Sequence, residues 1–228
     1  MSLSLPEGDG PLRRERLRTA RLYFVCDAKP PHDLEALLRA ALTGGADIVQ
    51  LREKELGRAE IERAAETFRR VADTFSALFI VNDDPDLARS CDADGVHVGQ
   101  DDVTAEQARG LLGADAIVGL STHSEEQIAA SAGRPVDYIS VGPIWETPTK
   151  AGRPGVGIKL IEHAAGNAPH PFFAIGGIDA GNAGQVVAAG AQRLCAVRAI
   201  RDAADPAAAA SGLRAAFAAG ERGVAPGG

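Results

Sequence analysis

Eight short apolar runs, separated by segments whose apolar residues fall three and four apart, constrain this chain more than any other feature. The runs are RLYFVCD (21–27), DIVQLRE (47–53), LFIVND (78–83), GVHVGQ (95–100), AIVGLST (116–122), YISVGPI (138–144), PFFAIGG (171–177) and RLCAVRAI (193–200). A strand that is apolar along its whole length is buried on both faces, which is the situation of a parallel sheet covered by helices. LEALLRAAL, IERAAETFRRVA and AGQVVAAG carry the helical spacing between the runs. Eight strand–helix units in about 180 residues predict the α/β class and a single (β/α)8 TIM barrel over residues 21–220. A doubly wound sheet usually has fewer strands, and its dinucleotide-binding version places G-x-G-x-x-G after the first strand, where this chain has CDAKPPH. Residues 1–20 are expected to be a tail plus a short helix, RRERLRTA, closing the barrel floor, and 221–228 a disordered tail.

Composition narrows the function. A net charge of −7 argues against a nucleic-acid partner, though local basic clusters remain suited to small anions. Cys26, Cys91 and Cys195 are far apart, odd in number and without C-x-x-C spacing, so they are expected to be reduced thiols packed as small apolar residues. LRRERLRTARLYF is charged where a signal peptide would be apolar, and no run approaches the length of a membrane span. The expectation is a cytoplasmic protein with no membrane partner; a homodimer is left open.

In a (β/α)8 barrel the chemistry sits at the C-terminal ends of the strands. The second run delivers Gln50, Arg52 and Lys54 there, the third Asn82, Asp83 and Asp84, the fourth His97, Gln100, Asp101 and Asp102, and the fifth Ser121, Thr122 and His123. The sixth opens into WETPTKAGRPGVG, which holds Thr147, Thr149 and Lys150; the seventh ends in Gly176 and Gly177, the eighth in Arg198. Arg52, Lys54 and Lys150 suit phosphate oxygens. Asp83 and Asp102 follow consecutive strands, and carboxylates combined with phosphate and water are what Mg²⁺ prefers. Gly176 and Gly177 leave backbone N–H groups open to an anion, ahead of a helix expected near Asp179. The pattern suggests two anionic subsites, one metal-assisted near strands two to four and one near strands six to eight.

Each residue has a plainer role available. Arg52 and Lys54 pair equally well with Glu53, Glu55 or Asp47 on a solvated rim. Asp83 suits a helix N-cap before Pro85, and Asp102 a cap near Thr104. His97, inside an apolar strand, reads first as a buried, hydrogen-bonded histidine, while His123 suits a site or a loop role equally. The glycine pair also fits a simple tight turn.

GGADIVQLREK, LFIVNDDPDLA, DGVHVGQDD, VGLSTHS, YISVGPIWETPTKAGRPGVG and FFAIGGI together resemble the thiamine-phosphate synthase (thiamine-phosphate pyrophosphorylase) family, over about residues 20–200. The order Q-x-R-x-K, N-D, G-x-H-x-G-Q-x-D and G-P-x-x-x-T-x-T-K carries the specificity of the match. The resemblance implies condensation of a hydroxymethylpyrimidine diphosphate with a thiazole phosphate to thiamine monophosphate, with loss of pyrophosphate. It also implies that Gln50, Arg52, Lys54 and Asn82 hold the diphosphate, that Asp83 and Asp102 bind Mg²⁺, and that Ser121 and Lys150 add pyrophosphate contacts. Thr147, Thr149 and Gly177 correspond to the thiazole-phosphate subsite. Arg198 departs from the pattern, standing in VRAI where many members have Ser in V-S-A-I; it is expected either to replace that Ser on the phosphate or to point elsewhere. Two rival readings use the same barrel: a thiazole tautomerase-like isomerase, and a non-catalytic phosphate-binding barrel.

Overall fold

The computed structural model describes residues 9–147 and 154–223. Eight parallel strands close into a barrel in sequence order: β1 Leu22–Cys26, β2 Ile48–Leu51, β3 Leu78–Asn82, β4 Gly95–Val98, β5 Ile117–Thr122, β6 Tyr138–Val141, β7 Phe172–Ile175 and β8 Leu194–Ala196. Each strand lies within one of the eight apolar runs. The barrel is wrapped by α2 Leu34–Thr43, α3 Arg58–Phe75, α4 Pro85–Ser90, α5 Ala105–Leu112, α6 Glu125–Ala130, α7 Ile158–Asn167, α8 Ala183–Ala188, α9 Arg198–Arg201 and α10 Pro206–Gly223, with α1 Gly10–Thr19 ahead of β1. α10 runs to Gly223, past the expected end at residue 220.

The two-residue period of a strand splits the core in two. Outward residues such as Phe24, Val49, Phe79, Val96, Leu120 and Ile139 pack under the helices. Inward residues Tyr23, Val25, Ile48, Ile80, Ile117, Tyr138, Phe173 and Cys195 fill the barrel. Gln50, Asn82, His97, Ser121 and Ser140 share the inward parity, so the same alternation that builds the core aims these polar groups at the barrel axis. The register places Asn82 beside His97 and Ser121 beside Ser140.

The floor is pinned by three aspartates, each one residue ahead of an even-numbered strand. Asp47 accepts the Leu22 N–H at 2.9 Å, Asp94 the Phe79 N–H at 2.8 Å and Asp137 the Val118 N–H at 2.8 Å. Each carboxylate also meets arginine: Asp47 meets Arg214, Asp94 meets Arg13 at 2.9 Å and Arg69 at 3.0 Å, and Asp137 meets Arg14 at 3.0 Å and Arg109 at 2.7 Å. Arg13 and Arg14 come from α1, so the helix expected from RRERLRTA does close the floor; it begins earlier than that motif, at Gly10, with a proline in its first turn. A well-pinned floor leaves the opposite end for chemistry. Among the described residues no helix is long and apolar enough to cross a membrane.

Candidate active site

A cavity of about 680 Å³ opens at the C-terminal ends of the strands. Gln50, Arg52, Lys54, Asn82, Asp83, Asp102, Ser121, Thr147, Gly177 and Arg198 all line it, although they come from seven different strand–loop junctions. Thr149 and Lys150 lie outside the described residues.

The carboxylate pair is built by local backbone geometry. Asp84, not Asp83, caps α4, accepting the Leu87 N–H at 2.8 Å. Thr104, not Asp102, caps α5 through a reciprocal capping box with Gln107. Neither cap role therefore consumes the two site carboxylates. Asp83 sits at φ 63°, a left-handed conformation that costs a non-glycine residue about 1 kcal/mol or more, and the turn brings its side chain to Asp102. Burial raises the Asp83 carboxyl above its ordinary value, and the neighbouring Asp102 raises it further. Lys54 opposes both effects with its Nζ 3.4 Å from Asp83 Oδ2. Asp102 Oδ2 accepts the Gly99 N–H at 2.9 Å, which steadies its side chain.

The rim-pairing role of the β2 cations is replaced by this arrangement. Glu53 accepts the backbone N–H groups of Ala28, Lys54 and Glu55, and Asp47 belongs to the floor. Arg52 makes no ion pair among the described residues, so its guanidinium is available to an anion. The cavity lining contains three cations, Arg52, Lys54 and Arg198, against five carboxylates, Asp83, Asp101, Asp102, Asp179 and Asp202. Arg201 holds Asp202 at 2.6 Å and Lys54 faces Asp83, so the described wall offers a polyanion little net positive charge, and a cation entering with it would improve the balance. A pair of carboxylates is a hard oxygen donor set. Two carboxylates would leave the other positions of a hard cation to water and phosphate oxygens.

Gly177 lines the cavity at φ 69° and Gly176 stands at φ 109°, both left-handed. The helix beyond them starts later than Asp179. Asp179 accepts the N–H groups of Gly181 and Asn182, Asn182 answers to Asp179 N–H at 2.9 Å, and α8 begins only at Ala183. That reciprocal turn consumes the N–H groups that an earlier helix would have presented. Thr147 is buried against the cavity, while Arg198 is exposed at the start of α9.

His97 is buried and hydrogen-bonded, as its place inside an apolar strand implies. Its Nδ1 lies 3.0 Å from the Tyr138 hydroxyl and its Nε2 3.0 Å from Ser121 Oγ. His123 Nδ1 donates to the Gly142 carbonyl at the cavity edge. Tyr23, Tyr138 and Ser140 escaped the sequence reading because they sit inside apolar runs. Their inward parity with Gln50, His97 and Ser121 was the signal that could have found them.

The family model described as thiamine monophosphate synthase matches residues 22–200, the barrel from β1 to α9. The chain belongs to the thiamine monophosphate synthase family. It is 47% identical over 206 residues to the thiamine-phosphate synthase of Acidothermus cellulolyticus, covering 89% of this chain and 97% of that one. Against a thiamine-phosphate synthase of Thermus thermophilus it is 47% identical over 198 residues, covering 85% and 95%. The thiamine phosphate pyrophosphorylase structure from Pyrococcus furiosus superposes with a TM-score of 0.80 at 30% identity, over 92% of this chain and 98% of that one. Membership makes the chain an enzyme of thiamine monophosphate synthesis.

Proposed function

We propose that the cavity condenses 4-amino-2-methyl-5-hydroxymethylpyrimidine diphosphate with 4-methyl-5-(2-phosphoethyl)thiazole, releasing thiamine monophosphate and pyrophosphate. The carrying observation is the juxtaposition of Asp83 with Asp102 beside Lys54, in a cavity that also holds Arg52. Arg52 and Lys54 grip diphosphate oxygens, Gln50 and Asn82 fix its approach, and Ser121 donates a hydroxyl proton to it. Asp83 and Asp102 hold Mg²⁺, which when bound supplies the positive charge that this acidic wall needs to accept a polyanion. Thr147 and the Gly177 backbone receive the thiazole phosphate, with Arg198 as an added cation at that side; Thr149 and Lys150 complete the two phosphate contacts.

The carbon–oxygen bond of the pyrimidine methylene breaks with its electron pair leaving on pyrophosphate. The aminopyrimidine ring spreads the positive charge left on the methylene carbon, and the thiazole nitrogen then supplies the pair for the new carbon–nitrogen bond. No side-chain nucleophile is needed. The protein's work is to position two substrates and to stabilise charge on the leaving group. An isomerase acting on the thiazole phosphate alone leaves Arg52, Lys54 and the carboxylate pair without a task.

The test is a pyrophosphate-release assay with both substrates and Mg²⁺, omitting each in turn. Release that needs all three supports the reading. Release without the thiazole phosphate at the full rate, or thiazole isomerisation without the diphosphate, overturns it.

A further inference from the structure

Between Gln50 and Ser121 the barrel interior contains a continuous line of polar contacts whose middle members, Tyr23, Tyr138 and His97, have no part in the proposed chemistry. Gln50 Nε2 donates to the Tyr23 hydroxyl at 2.6 Å, and that hydroxyl is 2.9 Å from the Tyr138 hydroxyl. Tyr138 meets His97 Nδ1 at 3.0 Å, and His97 Nε2 meets Ser121 Oγ at 3.0 Å, with Ser140 Oγ farther off at 3.4 Å. Gln50, Tyr23, Tyr138, His97 and Ser121 are all buried. Gly119 makes the line possible, since a Cβ there would stand 2.2 Å from Tyr138 and 2.5 Å from His97 Nδ1.

Counting protons gives the line a direction. A phenol has one hydrogen to donate. With Gln50 donating into Tyr23, the Tyr23 hydrogen is spent on Tyr138, the Tyr138 hydrogen on His97 Nδ1, and the imidazole hydrogen, on Nε2, points at Ser121. Reversing a later link strands a buried donor, at about 1–3 kcal/mol. Burial raises both phenols, so both keep their hydrogens. Ser121 Oγ then accepts from the imidazole and cannot donate back to it, which turns its own hydrogen toward the cavity.

We infer that His97 is a positioning residue: the one-way chain from Gln50 through Tyr23 and Tyr138 holds its imidazole as the Nε2–H tautomer and so commits the Ser121 hydroxyl proton to the anion in the cavity. The identity of that anion rests on the function proposed above; the direction of the chain does not.

Nitrogen-15 NMR of the full-length protein labelled at its five histidines reads the tautomer directly, with His97 identified by loss of its signals in His97→Gln. The expected result is a protonated Nε2 and an unprotonated, hydrogen-bonded Nδ1; an Nδ1–H imidazole overturns the inference whether or not the protein turns over substrate. Tyr138→Phe, or Tyr23→Phe if the first fails to fold, should erase that tautomer preference. Turnover should then fall about tenfold, the size of one lost hydrogen bond, with the KM for the thiazole phosphate unmoved. Ser121→Ala should cost about as much, and the Tyr138→Phe/Ser121→Ala double variant no more than either alone. Losses that multiply would show Tyr138 acting independently of Ser121 and sink the relay. If the wild type releases no pyrophosphate from the two substrates, the functional reading fails separately. The same cycle is then read through the Kd of inorganic pyrophosphate in Mg²⁺.

Discussion

Asp83 combines two unfavourable conditions in one residue. Its backbone sits at φ 63°, and its carboxyl, raised by burial and then by Asp102, resists ionisation. For such an acid the folded state binds the proton more tightly than the unfolded chain. Its contribution to stability is full below the ordinary value of 3.8 and is lost as the pH climbs through the raised one. At neutral pH the ionised group therefore opposes folding. Asp83→Gly, which suits the left-handed backbone and removes the charge, should hold or improve thermal stability, by about 1 kcal/mol, while abolishing Mg²⁺-dependent pyrophosphate release. A thermal melt beside the release assay checks it; a clear drop in Tm would mean the Lys54 pairing outweighs both costs. Arg52, unpaired among the described residues, makes a second prediction. Arg52→Ala should raise the KM of the diphosphate by about tenfold or more and barely move that of the thiazole phosphate, whereas Arg198→Ala should do the reverse. Equal losses for both substrates would show that the two subsites are wrongly divided. Charged residues just beyond apolar runs were legible as site candidates because nothing in a strand's interior explains them. Tyr23 and Tyr138 were not, because an aromatic inside an apolar run looks like core until the inward parity is known.

At the level of elements, all eight strands were readable because each run had to be buried on two faces. Boundaries were less so. α8 starts at Ala183 rather than near Asp179 because the Asp179–Asn182 turn competes for the same N–H groups, a contest that composition does not reveal. The floor was legible only as a basic helix; its aspartate partners are distant in sequence and emerge once the barrel closes. Asp94 illustrates the stakes. It is buried between Arg13 of α1 and Arg69 of α3 and holds the Phe79 N–H of β3. Asp94→Asn keeps the shape but removes the buried counter-charge of Arg13 and Arg69, leaving them only the exposed carboxylates of Asp9 at 3.9 Å and Asp73 at 2.6 Å, so it should destabilise the protein by about 3 kcal/mol. Denaturant melts measure this. Because the floor lies opposite the cavity, the kcat of the fraction that stays folded should be unchanged; a loss of kcat at full folding would mean that the floor and the site are coupled.

The molecule as a whole carries −7, and the described part of its cavity wall holds five of those carboxylates against three cations, yet its proposed substrates are both anions. Two fields thus compete for an approaching diphosphate. At roughly 10 mM ionic strength the screening length is about 30 Å, and the incoming anion feels the net charge; near 150 mM it shrinks to about 8 Å, and only the nearest groups count. Net repulsion therefore dominates the approach at low salt, whereas Arg52 and Lys54 act at contact. The association rate of inorganic pyrophosphate with the metal-free protein should rise, by about two- to tenfold, as salt is added across this range. Mg²⁺ should flatten that dependence, because the metal offsets the charge of both the carboxylate pair and the anion, and by linkage each should tighten the other's binding. Stopped-flow measurements with and without a chelator decide the matter. A rate that falls with salt in the chelated protein would mean that cations such as Arg52 and Lys54 attract from a distance, making the mouth an electrostatic funnel within an acidic protein. In that event the cavity's charge balance would not call for a divalent cation.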